Sequence, residues 1–316
     1  MDKKLHYNKY DAGFGFFCAI FLPAVVSLIF ITIVSIICAI FKLDAQVVQK
    51  SEVYLVLVLI VTPLALFLTF FVSNRHAGAN AKVALGLHNK INIGNIFACV
   101  AISLVCVFGI MNFINMFDAL VAKLGFKGNY SLPLPLNSIW WLFANLILVA
   151  LLPAVFEELV FRGVVFNGLK DYGNKVAVFA SAALFMLMHG GIEQTVYPFF
   201  VGVVLGFLML KTNNIIYPII THFCNNAIVL IFNYIEMQKG ISSTTYQFTA
   251  YNILFAILLF ILSALIICLV IKNLVKGKKS LPRQETPNLG SNKLMYVAII
   301  CGIIIWVADL ITGFKA

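Results

Sequence analysis

The chain has 316 residues, of which 62% are hydrophobic and 11% charged, with a mean hydropathy of +1.01. Soluble domains hold about 45–50% apolar and about 25% charged residues, so this composition cannot clothe a water-soluble globule and leaves no room for a sizeable domain outside a membrane. The formal charge of +10 comes from basic residues in short connections between apolar runs, which reads as topology signalling with no nucleic-acid partner.

The expected fold class is an all-α, polytopic transmembrane helical bundle, a single integral membrane domain over 1–316, with the lipid bilayer around it. A helix needs about 20 apolar residues to cross the hydrocarbon core. The first run, from about Gly13 to Phe41, is too long for a cleavable signal and has no small-residue cleavage pattern, so it stays as the first span. Taken along the chain, candidate spans lie near 14–41, 53–72, 93–117, 139–166, 175–189, 194–210, 215–235, 250–271 and 294–314. That makes nine spans, or eight if the short fifth or sixth is only partly inserted. With the amino terminus in the cytoplasm, inner segments hold 15 basic residues, among them Lys3, Lys82 and Lys276, against 6 in outer ones (Lys42, Lys50, Lys123, Lys127, Lys239 and Lys315). That bias supports a cytoplasmic amino terminus. The segment 276–293, with Pro282 and Pro287, reads as a cytoplasmic linker that joins the last helix loosely to the rest. All seven cysteines lie in apolar stretches without a CxxC pair and read as free thiols.

Ionisable side chains at bilayer depth cost about 2.5–3.5 kcal/mol each on insertion scales, so each needs a partner or a task. The fourth span carries Glu157, Glu158 and Arg162 in an otherwise apolar helix. Glu158 and Arg162 are four apart and can pair on one face. Glu157 is turned about 100° away, has Phe161 at its own i+4 position, and is expected to look into the bundle without a cation on its own helix. Phe185 and His189 share a face at the end of the fifth span, and His222 and Asn226 share one in the seventh. His189 and His222 are the two histidines in apolar spans; each alone suits an interhelical hydrogen bond, and together with an uncompensated glutamate they suit a catalytic site. Pro153 and Pro218 each precede a key residue by four. They either widen the bundle locally or are simply tolerated, Pro218 in a first helical turn. Glu193 and Glu236 fall at span ends and read as solvated, and Asp309 lies in the last span with no evident partner beyond an interhelical bond.

These residues spell EExxxR, FxxxH and HxxxN in order, as Glu157 to Arg162, Phe185 to His189 and His222 to Asn226. In this the chain resembles the CPBP family, the CAAX-protease and bacteriocin-processing or Abi group, which includes type II CAAX prenyl endopeptidases. The resemblance covers roughly 138–236 and implies an intramembrane glutamic endopeptidase core there. It implies Glu157 as general base, Glu158 orienting Arg162 and the helix, His189 holding the attacking water with Glu157, and His222 and Asn226 stabilising the oxyanion. It also implies a membrane-associated, in some cases lipidated, peptide or protein substrate, and a multi-pass protein of the bacterial cell membrane. No cofactor is expected. Zinc held by Glu157, His189 and His222 is the alternative, without an HExxH motif to support it. A non-catalytic binding or immunity factor and a proton-coupled carrier are competing functions; the carrier lacks repeated halves.

Overall fold

The structure, a computed structural model, describes residues 5–127, 135–240, 249–278 and 292–315. Among the described residues, nine main helices account for the fold: α1 (Lys9–Phe41), α2 (Glu52–Ala77), α3 (Ile93–Lys123), α4 (Ile139–Tyr172), α5 (Asn174–His189), α6 (Val196–Thr212), α7 (Ile216–Gln238), α8 (Ala250–Asn273) and α9 (Lys293–Lys315). Two short helical segments, Ala45–Gln49 and Ala81–Ala84, lie in connections. Seven of the nine are long and apolar enough to cross a membrane, while α5 and α6 are shorter. The chain is an integral, multi-pass membrane protein. Several helices run past the predicted spans, α3 to Lys123 and α4 to Tyr172, because backbone hydrogen bonding continues beyond the apolar window that hydropathy detects.

Side chains written into the sequence begin and end these helices. Asn8 accepts from the amides of Tyr10 and Asp11, and Asp11 accepts from Asn8 in return, a capping box that starts α1. Ser51, Asn92, Ser138 and Thr249 cap α2, α3, α4 and α8. Gly190, at φ +70°, ends α5 in the left-handed region that a residue without Cβ enters freely.

α4 is the hub, packed against α1, α2, α5 and α7. One buried cluster joins Phe16 of α1, Phe161 and Phe166 of α4, Val178 and Phe185 of α5, Met209 of α6 and Met295 of α9. A second joins Cys99 and Ile102 of α3, Leu205 and Leu208 of α6, Tyr217 of α7 and Ile267 of α8. Outward faces carry exposed apolar residues such as Leu28, Ile40, Phe71, Leu258 and Ile304, the surface a bilayer covers.

Two features depart from a uniform bundle. α4 is interrupted by π-helical stretches at Leu146–Leu151 and Leu159–Val165, on either side of the segment Leu152–Glu158 that bears both glutamates. Such insertions gather at functional sites because they re-aim side chains. At 16 and 17 residues, α5 and α6 reach only about 24–26 Å at 1.5 Å per residue, short of the roughly 30 Å core. Neither helix is long enough by itself to cross that core.

The expected loose attachment of the last helix is not what the fold has. α9 packs along α1 and against α5, and Asn292 before it donates to the Lys9 carbonyl at 2.6 Å. Gly13 leaves the slot that the Asn292 side chain fills. Most of the predicted linker, with Pro282 and Pro287, lies outside the described residues; its start is fastened, Lys278 donating its amide to Asn89 Oδ1 at 3.2 Å. Pro218 sits in the first turn of α7, where its missing N–H costs nothing.

Candidate active site

Arg162 Nη1 donates to Glu158 Oε1 at 2.8 Å with both side chains fully buried, the pair that four-residue spacing predicts. The guanidinium is held further by the Gly202 carbonyl, which accepts from Nη2 at 2.9 Å, and by the Phe185 ring 4.8 Å away. Gly202 is required by the same approach, because a Cβ there would press on Ala182 and on the guanidinium.

Glu158 does more than the sequence indicates. Its Oε1 also lies 3.0 Å from His222 Nδ1. A carboxylate already accepting from arginine can only accept again, so Nδ1 of His222 carries the proton and donates. This aims Nε2 of His222 at Glu157, whose Oε2 is 3.8 Å away. Glu157 is not the carboxylate that Arg162 bonds, and its side chain is 13% exposed on a cavity wall.

His189 is fixed by similar chemistry. Its Nδ1 lies 2.8 Å from the Phe185 carbonyl, an acceptor only, so Nδ1 donates and the Nε2 lone pair is left for the cavity. Phe185 is the shared backing plate: its ring meets His189 edge-on at 4.7 Å, His222 at 5.9 Å and Phe161 at 5.1 Å.

The cavity has a volume of about 560 Å³, and Glu157, His189, His222 and Asn226 all line it. Asn226 accepts from Asn225 Nδ2 at 3.4 Å through Oδ1, so Nδ2 is the donor end of its side chain at the cavity wall. Asn225 is held by Tyr197, whose hydroxyl donates to Asn225 Oδ1 at 2.6 Å. Neither Tyr197 nor Asn225 stands out in the sequence; the one hint is that Asn225 adjoins Asn226. Tyr197→Phe removes this support without disturbing the ring. The expected result is a rate loss of about tenfold in a cleavage assay, from a loosened donor rather than a missing one.

Two acids were not placed here by the sequence. Glu193, read as solvated, forms part of the cavity wall, in the turn after α5. Asp118 lines it from α3 with Met111 and Ile114 at helical spacing, and its Oδ1 is buried without a hydrogen-bond partner among the described residues. Among those residues, no three His, Cys, Asp or Glu side chains are grouped so that they could hold a metal ion.

Residues 139–228 match the family described as type II CAAX prenyl endopeptidase Rce1-like. This segment of the chain is similar to that family. It spans all of α4, α5 and α6 and about half of α7, and so contains every motif residue from Glu157 to Asn226. Comparison with curated proteins and with solved structures gave no match. The family that this segment resembles is a protease family, and the remaining helices surround the segment with sequence that the family description does not cover.

Proposed function

We propose that the protein is an intramembrane glutamic endopeptidase. It cleaves a peptide bond in a membrane-associated, lipid-bearing or strongly apolar peptide by water activated at Glu157. The observation that carries this reading is the separation of the two adjacent glutamates. Glu158 is fully buried and neutralised by Arg162, while Glu157 faces the cavity with His222 Nε2 at 3.8 Å. A buried carboxylate without a full ion pair is costly, and general-base work explains its place.

To stabilise a developing oxyanion, His222 presents Nε2–H while its Nδ1–H stays on Glu158, alongside the Asn226 amide. Water is held by Glu157 and the Nε2 lone pair of His189. Glu157 takes one proton as the oxygen attacks the scissile carbonyl carbon, and the oxyanion forms against His222 and Asn226. The proton then passes to the leaving nitrogen as the C–N bond breaks, giving a carboxylic acid and an amine. Asn226→Ala is expected to lower kcat by about 10²–10³, the usual effect of one lost oxyanion donor, measured on an internally quenched farnesylated peptide ending in a Cys-aliphatic-aliphatic-X sequence.

A zinc enzyme is the second reading: both histidines have Nδ1 engaged, by Phe185 and by Glu158, leaving each Nε2 for a ligand, although Glu157, His189 and His222 are not grouped as a metal site among the described residues. The two readings part on treatment with a strong chelator. Glutamate catalysis predicts that the purified protein keeps its rate after prolonged chelation and carries no stoichiometric zinc by elemental analysis. Loss of activity restored by zinc would replace this mechanism.

A further inference from the structure

The turn that follows His189 is built partly by a helix outside the Rce1-like segment. Asp309 of α9 accepts the Ile192 amide at 3.1 Å through Oδ2, and Trp306, one turn earlier, donates its indole N–H to Thr195 Oγ1 at 2.7 Å. Thr195 in turn donates to the Gly191 carbonyl at 2.8 Å and its amide reaches the Ile192 carbonyl at 3.2 Å. The backbone of 190–195 is irregular, so helical bonding does not satisfy its polar groups, and α9 supplies a partner for the Ile192 amide.

The docking of α9 is encoded along one face. Met295, Ala298, Gly302, Trp306, Asp309 and Gly313 recur at spacings of three and four, the period of a single helical stripe. Gly302 lets α9 approach Leu187 of α5, and Gly313 leaves the space that Phe126 fills beyond α3. Ile192, Phe126 and Val121 form a small buried cluster with Trp306 and Leu310 against it. A helix needed only as a lipid-facing span has no use for an acid at this depth.

We infer that Asp309 and Trp306 are positioning residues for the 190–195 turn, so that α9 sets where His189 Nε2 meets the attacking water. Asp309 touches no reacting atom; it holds the backbone that ends α5 immediately after the histidine. This inference rests on the reading of His189 as a water-holding group. It goes beyond that reading by assigning a task to a helix that the family description does not cover.

The test uses the full-length protein reconstituted in liposomes, with the farnesylated Cys-aliphatic-aliphatic-X peptide as the probe. Asp309→Ala is expected to lower kcat about ten- to a hundredfold while leaving KM within about twofold. Asp309→Asn, whose amide oxygen still accepts from Ile192, should restore most of the rate. Trp306→Phe, which keeps a ring and loses the donor, should fall between. In parallel, hydrogen–deuterium exchange should show faster exchange over 190–196 in Asp309→Ala, no change across α1 and α7, and recovery in Asp309→Asn. Unchanged exchange in Asp309→Ala overturns the inference, as does an unchanged kcat, and so does an Asp309→Asn protein as impaired as Asp309→Ala. If the wild-type protein and Glu157→Gln cleave the probe equally, the protease reading fails instead, and the exchange arm alone decides whether α9 holds the turn.

Discussion

Glu157→Gln is expected to reduce cleavage by about 10²–10⁴, the share of rate that a positioned base supplies, while the protein inserts and folds as before. The substitution keeps side-chain shape and an oxygen facing His222 Nε2, and removes only the basic carboxylate. Glu157 borders the cavity, and Arg162 keeps its bond to Glu158, so the buried ion pair stays intact. Thermal unfolding in detergent should therefore move little, and KM should hold, since the lost interaction belongs to the transition state. A Glu157→Gln protein within about tenfold of the wild-type kcat would remove the general base from the mechanism.

Arg162→Met is expected to fail in a different way. It strands Glu158, fully buried, without its cation, and breaking such a pair from one side costs about 3–5 kcal/mol. It also leaves the Gly202 carbonyl without its donor and removes the guanidinium from the Phe185 ring. The protein should express poorly and unfold at a markedly lower temperature. The double variant Glu158→Gln, Arg162→Met separates structure from chemistry. With no lone buried charge it should regain part of the stability, yet it should stay inactive because His222 Nδ1 has lost its anionic anchor. A stable Arg162→Met protein would contradict the buried-pair account, and an active double variant would contradict the role of Glu158 in aiming His222.

The membrane class and the core of the site were legible because both rest on local rules. Apolar length marks spans, and three- or four-residue spacing puts Glu158 with Arg162, Phe185 with His189, and His222 with Asn226. The second bond of Glu158, to His222 sixty-four residues away, was not legible, since a spacing rule speaks only for one helix. The same limit hid Tyr197 behind Asn225, and it hid the partner of Asp309, which is a backbone amide in a turn. Glu193 looked solvated because it stands at a span end; the short α5 and α6 bring that end inside the bundle beside the cavity. The last helix looked loosely joined because Pro282 and Pro287 mark a break in sequence, whereas Gly13, Gly302 and Gly313, whose small size admits the docking contacts, carry no signal until their neighbours are known.

The central claim, that Glu157 drives hydrolysis of a membrane-associated chain, is tested most directly by mass spectrometry of peptides and protein termini. The comparison is between membranes of cells producing the wild-type protein and cells producing Glu157→Gln at equal levels. The account predicts a defined set of longer, uncut species that accumulate with Glu157→Gln and are replaced by one shortened product each when the wild-type protein is present. Identical termini in the two membranes, with both proteins folded and inserted, would contradict it.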